Sequence, residues 1–182
     1  VGTPDFKPDE SVMKVVSEGA LEPENYKYSL GDTDELLDAV CEWYKRRYNT
    51  VITPDEVASV FGTQEGMAHI ALALCNPGDL CLVPNPGYPI FEIGPFLCDA
   101  QIAYYNLLPE NDYLIDFDSI DEDTAKKAKM MVVSYPLNPV CATAPDEFYD
   151  KLIAFAKKYN IIIIHDNAYS CLLYTSPSPR DT

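Results

Sequence analysis

No apolar run in the chain reaches the roughly 18 residues that a membrane-spanning helix needs, so no membrane partner is expected. A basic start followed by a short apolar core is also missing, so no signal peptide is read. The first residue is Val1 and not Met, and the natural start is expected upstream of it. Basic residues are scarce: 13 Lys and Arg stand against 29 Asp and Glu, a net charge of −16. Such a surface repels phosphate backbones, so nucleic acid is not an expected partner. A small anionic substrate needs a local positive site set against that field. Histidine is limited to His69 and His165, and both read as structural. Neither lies at zinc-finger spacing, C-x-x-C is absent, and no metal is expected. Cys41, Cys75, Cys81, Cys98, Cys141 and Cys171 read as reduced, mostly buried thiols of a cytoplasmic protein. There is no internal repeat.

With 47% hydrophobic residues and many aromatics, the chain is globular and not disordered. Its 182 residues suffice for one core or for part of a larger protein. The stretch around which it is organised is Ile161-Ile162-Ile163-Ile164-His165-Asp166-Asn167-Ala168-Tyr169. Four consecutive isoleucines call for burial on both faces, the pattern of a central strand in a parallel sheet. Ligands of open α/β sheets bind just beyond the carboxyl ends of the strands, where Asp166 falls. A carboxylate there pairs with a cation or orients a base. The alternative for Asp166 is a helix cap or a satisfied loop acid.

Residues 1–8 are loop-like, and a helix is expected over about Asp9 to Ala20. An extended connection follows and ends at Tyr28-Ser29-Leu30-Gly31. Asp32 with Glu35 resembles a capping box for the next helix. Leu36, Val40, Tyr44 and Tyr48 make one apolar stripe along it. Lys45, Arg46 and Arg47 suit its dipole at the end, which is the preferred reading of that basic trio.

Strands and helices then alternate. Strands are expected at Val57 to Phe61, Leu80 to Val83, Gln101 to Tyr105, Met130 to Ser134 and Ile161 to Ile164. Helices are expected at Gln64 to Cys75, Tyr88 to Leu97 and Pro145 to Tyr159. Residues 106–129 show no clear pattern. This alternation implies an α/β fold with a mostly parallel sheet and helices on its faces. After Ser170 the Ser/Pro-rich run to Thr182 carries no pattern that continues the fold. Residues 171–182 resemble a foreign tail of the kind found on translated sequencing fragments, and are set aside.

Three short segments follow three strands and should meet at one sheet edge. They are Pro84-Asn85-Pro86-Gly87-Tyr88-Pro89, Tyr135-Pro136-Leu137-Asn138-Pro139 and Asp166-Asn167-Ala168-Tyr169. A fourth, Phe61-Gly62-Thr63-Gln64-Glu65-Gly66, leads into a helix start, where backbone N–H groups bind phosphate. It is not the G-x-G-x-x-G of a dinucleotide-binding domain. Taken singly, a Gly-Thr turn is commonly only a turn, and a tyrosine in such a loop is commonly only packing.

In this order and spacing the set resembles the pyridoxal-phosphate aminotransferases of class I/II, fold type I. Gly2-Thr3-Pro4-Asp5-Phe6 is similar to the family's G-x-P-D-F. Tyr28 to Gly31 with Glu35-Leu36 is similar to its Y-x-x-x-G-x-x-E-L, with one residue fewer between Tyr28 and Gly31 than some members show. Asn138-Pro139 matches the start of N-P-T-G, with Val140 and Cys141 replacing Thr and Gly, and Asp166 to Tyr169 matches D-x-A-Y. Gly62 to Gly66, Asn76-Pro77-Gly78-Asp79 and Pro86-Gly87-Tyr88-Pro89 look closest to the LL-diaminopimelate aminotransferase-like branch.

The resemblance implies a three-layer α/β/α fold and a set of roles. Residues 1–30 would be small-domain arm and junction, and 31–170 part of the cofactor-binding large domain. Asp166 would keep the ring nitrogen of pyridoxal 5'-phosphate protonated, and Tyr88 would stack on the ring. Asn138 and Tyr169 would bind the ring's phenolate oxygen. Gly62, Thr63 and Gln64 would hold the phosphate, and Tyr28 the phosphate of a neighbouring subunit in a homodimer. Gly2 and Asn138 would lie near the substrate. The family's Schiff-base lysine lies beyond D-x-A-Y, and no lysine follows Lys158 here. Arg180 is in the tail and is given no role. The implied function of the parent is exchange of an amino group between an amino acid and a 2-oxo acid, the fragment itself being inactive. A cofactor-sensing domain of a transcriptional regulator and a carbon–sulfur lyase of the same fold stay open beside it.

Overall fold

The computed structural model describes residues 6–170, and the chain divides after Ser59 into two compact units. Gly2, Arg180 and the rest of 171–182 lie outside the described residues.

The unit that ends at Ser59 is helical. Helix α1 spans Glu10–Gly19, and the Asp9 carboxylate caps it by accepting the Ser11 N–H at 2.9 Å. Helix α2 spans Asp34–Tyr48 and is capped by Thr33, which accepts the Leu36 N–H at 3.3 Å. The cap expected at Asp32 is therefore corrected by one residue. Thr33 has the extended backbone a cap needs, while the Asp32 carboxylate accepts the N–H and hydroxyl of Ser59. Leu36, Val40 and Tyr44 of the apolar stripe line a cavity of about 330 Å³ together with Leu37, Ile52 and Val57. The helix buries none of its residues fully and stops at Asn49, which takes the left-handed conformation.

Val57 to Phe61 is not a strand. A strand persists only if its N–H and C=O groups pair with a neighbour. Here the Ser59 N–H goes to Asp32, and the Gly62 N–H turns back on the Val60 carbonyl at 2.8 Å.

The second unit is built on four parallel strands in the order β2-β1-β3-β4. They are β1 Leu80–Asn85, β2 Gln101–Asn106, β3 Ala128–Ser134 and β4 Ile162–Asp166. Between them run α3 Thr63–Leu74, α4 Ile90–Leu97, α5 Glu122–Lys127 and α6 Asp146–Tyr159. Strand β3 is buried continuously from Met130 to Ser134, so both faces of the sheet are covered, as the three-layer fold requires. Met131, Val133, Leu82 and Phe91 stand at the centre of this core. The pattern expected β4 to be central. Among the described residues it is the edge, with Ile161 buried but Ile162 37% exposed.

Residues 106–129, left without elements above, hold α5 and two short 3-10 turns. Asp121 caps α5 by accepting the Thr124 N–H at 2.9 Å. Cys75, Cys81 and Cys98 are buried, whereas Cys141 is exposed. Burial beside the Cys75 thiol pushes the Cys81 thiol up to about 12, so it stays protonated. No described helix is long and apolar enough to cross a membrane.

Candidate active site

All four strands run the same way, so their carboxyl ends share one edge. β1 has β2 on one side and β3 on the other. The chain thus leaves β1 in one direction and returns on the opposite side, which makes the β1/β3 crevice a topological switch point. The loops that follow these two strands carry Tyr88 and Asn138.

The β1 loop folds back tightly. A Cβ on Gly87 would stand 2.6 Å from the Pro84 carbonyl oxygen, so only glycine fits there. Tyr88 follows, half-buried, with its ring edge-on to Phe91 at 6.3 Å. Its hydroxyl accepts a hydrogen bond from the Gln64 side-chain amide at 2.9 Å. That bond joins the start of α3 to the β1 loop.

Gly62 is the N-cap of α3 and has φ +88°, a conformation that side chains rarely tolerate. A Cβ built there meets nothing within 4 Å, so the approach to the helix start is open. The first-turn N–H groups of a helix lack intrahelical partners and attract anions. The Glu65 carboxylate lies in the same turn and accepts the Phe61 N–H at 2.6 Å.

After β3 the chain closes a small loop. The Leu137 N–H donates to the Ala142 carbonyl at 3.1 Å, and the Cys141 N–H to the Leu137 carbonyl at 2.6 Å. Half-buried Asn138 sits inside that closure, anchored by Leu137, which is 1% exposed. Cys141 holds φ +58°, so it keeps the left-handed backbone suited to the family's glycine.

Strand β4 ends at Asp166, in register with Ser134 of β3. Burial raises the Asp166 carboxyl above the ordinary carboxylate range, while the nearby Ala168 N–H and His165 pull the other way. Tyr169 lies in the following turn and is 39% exposed.

The second unit therefore holds Gly62, Thr63, Gln64, Tyr88, Asn138, Asp166 and Tyr169 on its helix start and strand-end segments. Tyr28 belongs to the other unit and is 90% exposed, and Gly2 is outside the described residues. One feature escaped the sequence: the Gln64 side chain engages Tyr88, a pairing that leaves no signal in local pattern. Among the described residues no cluster of three His, Cys, Asp or Glu side chains is placed to hold a metal ion. The donor set suits a flat aromatic group with a phosphate and a protonatable ring nitrogen. It offers an open helix start, an aromatic side chain, an amide, a phenol and a half-buried acid.

This is the architecture of the fold type I aminotransferases, and the chain belongs to the class I and II aminotransferase family, whose description matches residues 1–182. Among curated proteins it is similar to the LL-diaminopimelate aminotransferase of Aquifex aeolicus, 44% identical over 93% of this chain and 44% of that protein. The LL-diaminopimelate aminotransferase of Halothermothrix orenii is 42% identical over the same shares. Among solved structures, substrate-bound BacF from Bacillus subtilis superposes with TM-score 0.87 and 40% identity, over 91% of this chain and 42% of that one. A probable N-succinyldiaminopimelate aminotransferase from Thermus thermophilus gives TM-score 0.89 at 31% identity, over 100% of this chain and 50% of that one. The chain thus spans less than half the length of the curated relatives it matches.

Proposed function

We propose that the full-length protein is a pyridoxal-phosphate-dependent aminotransferase that moves an amino group between an amino acid and a 2-oxo acid. Diaminopimelate is the amino-acid substrate that the relatives' names favour. The reading is supported by Tyr88, Asn138 and Asp166 standing after or at the carboxyl ends of three adjacent parallel strands, beside a switch point.

When bound, pyridoxal phosphate supplies an electron sink for the charge left on the substrate carbon. The chain's own residues then have distinct tasks. Ionised Asp166 would hold a proton on the ring nitrogen, and the cation there would offset the cost of its burial. Tyr88 would cover one ring face, its tilt set by the bond from Gln64. Asn138 and Tyr169 would donate to the ring's phenolate oxygen. The backbone N–H groups at Gly62, Thr63 and Gln64 would bind the phosphate. Tyr28 would serve the phosphate of a neighbouring subunit in a homodimer, and Gly2 and Asn138 the substrate. The rest of the full-length protein would supply the lysine, since none follows Lys158. No metal is needed, and a cytoplasmic location fits the reduced thiols.

The test is to incubate the purified full-length protein with pyridoxal phosphate, a panel of amino acids including LL-diaminopimelate, and a 2-oxo acid. Formation of the matching new amino acid is expected. Sulfide release from cysteine-like substrates without transamination would instead identify a lyase. Tight cofactor binding with no turnover would identify a sensor.

A further inference from the structure

We infer that Tyr105 is a positioning residue: its hydroxyl takes a backbone carbonyl of β3 that Pro84 of β1 leaves unpaired, and so sets the spacing of the two strands where their loops carry Tyr88 and Asn138. The inference rests on the proposed placing of the cofactor ring against Tyr88 and Asn138.

The β1–β3 ladder runs from Leu80 opposite Ala128 to Leu82 opposite Met131, and there it stops. Both strands continue, β1 to Asn85 and β3 to Ser134. The cause is Pro84. Along a central strand, the backbone groups of successive residues face alternate neighbours. The Asn85 carbonyl accepts the Leu107 N–H at 2.8 Å on the β2 side, so Pro84 faces β3. Carried two residues past Leu82 and Met131, the register sets Pro84 opposite Val133. A parallel ladder would there send an N–H from position 84 to the Val132 carbonyl, and proline has none. Val132 is 1% exposed, so its carbonyl needs a partner within the protein.

The Tyr105 hydroxyl donates to that same carbonyl at 2.6 Å. Tyr105 lies on β2, in register with Pro84, and is 4% exposed. Its side chain thus reaches past β1 to β3. Burial holds the phenol above the ordinary tyrosine range, so it keeps the proton it donates. On its other side β3 stays laddered to β4 as far as Ser134 and Asp166. β1 and β3 therefore part at the switch point while the Val132 carbonyl stays paired. The two loops of the site leave the strands just beyond this point.

Three variants of the full-length protein test this. Tyr105→Phe keeps the ring and removes the donor. Pro84→Ala returns a backbone N–H where the ladder stops. The third combines them. Tyr105→Phe is expected to lower the urea midpoint of the cofactor-free protein. With pyridoxal phosphate bound, its kcat is expected to fall roughly 10- to 100-fold with KM little changed, and its visible band to shift, because misplacement by about 1 Å has that effect on rate. Adding Pro84→Ala is expected to raise the midpoint again, since the new N–H takes the Val132 carbonyl. The kcat stays low, because the extended ladder closes the crevice. In wild type, Pro84→Ala is expected to give no such rise, since the carbonyl is already taken.

A combined variant no more stable than Tyr105→Phe, or an equal rise from Pro84→Ala in wild type, would show that the two groups do not share the carbonyl and overturns the inference. Wild-type kcat and band in Tyr105→Phe, or in the combined variant, overturns it too. If Tyr105→Phe does not fold, the combined variant decides: folded with reduced kcat supports the inference, and unfolded or fully active overturns it. A wild-type protein that binds no pyridoxal phosphate refutes the functional reading itself, and the inference with it. An unchanged Tyr105→Phe beside an active, cofactor-bound wild type refutes only the inference.

Discussion

Asp166 meets two opposing demands. Burial raises its carboxyl above the ordinary range, while pairing with a ring nitrogen needs it ionised. Without the cofactor, the folded state holds this proton more tightly than the unfolded chain does. The stability from this group therefore falls as pH rises from the ordinary carboxylate value through the raised one, and is level above that. Asp166→Asn removes the effect. In urea unfolding of the cofactor-free full-length protein, the variant should gain on wild type as pH rises from the ordinary carboxylate value, about 4, through the raised one, and no further above it. A difference that does not change with pH would contradict burial as the cause. Cys141 is a second residue under strain. It occupies a left-handed position, φ +58°, where the family pattern has glycine. Cys141→Gly should stabilise the protein by about 0.5–1 kcal/mol, since relief of strain outweighs the added chain entropy. A lower urea midpoint for that variant would show that the loop is held by something else. At this scale the sequence revealed which residue types stand at strand ends, Asp166, Asn138 and Tyr88 among them. It did not reveal the partners. Gln64 and Tyr88 are 24 positions apart, and only the sheet topology brings them into contact.

The elements were largely legible, because periodicity reports burial. β1 to β4, α3 and α6 fall close to where apolar spacing and cap residues put them. The failures are equally physical. Val57 to Phe61 has the composition of a strand, but its N–H groups are spent on Asp32 and on a local turn. Helix α5 is only 6 residues long, too short for a period to show, although Asp121 and the Lys126-Lys127 end mark its limits. The isoleucine run reads as central from its own side chains, whereas edge or centre depends on what pairs beside it. The turn after β1 yields a prediction of its own. In Gly87→Ala the new Cβ would stand 2.6 Å from a backbone oxygen, which cannot swing away as a side chain can. The substitution should cost about 1–3 kcal/mol by overpacking and should weaken cofactor binding by displacing Tyr88. Wild-type stability in Gly87→Ala would show that the loop has room the geometry denies.

Taken whole, the chain exposes much apolar surface. Phe61 is 99% exposed, Leu30 94%, Phe6 92% and Ile162 37%, the last on an open sheet edge. An uncovered edge invites association, and the few kcal/mol that keep a domain folded leave little margin. Residues 1–170 expressed alone should therefore associate and unfold without a cooperative transition. A soluble monomer with a sharp urea transition on the same fragment would refute that expectation. Function belongs to this scale as well: on the proposed reading this chain contributes the acid, the amide and the helix start, and the full-length protein would add the lysine and a second subunit. The central claim is that Asp166 acts on charge that develops during the reaction, and not on holding the cofactor. The direct measurement is kcat and the pyridoxal-phosphate Kd of the full-length protein beside its Asp166→Ala variant. The account predicts a fall in kcat of about 100-fold or more, the scale of losing one charge-stabilising group, with a far smaller change in Kd. Equal kcat in the two proteins would contradict it.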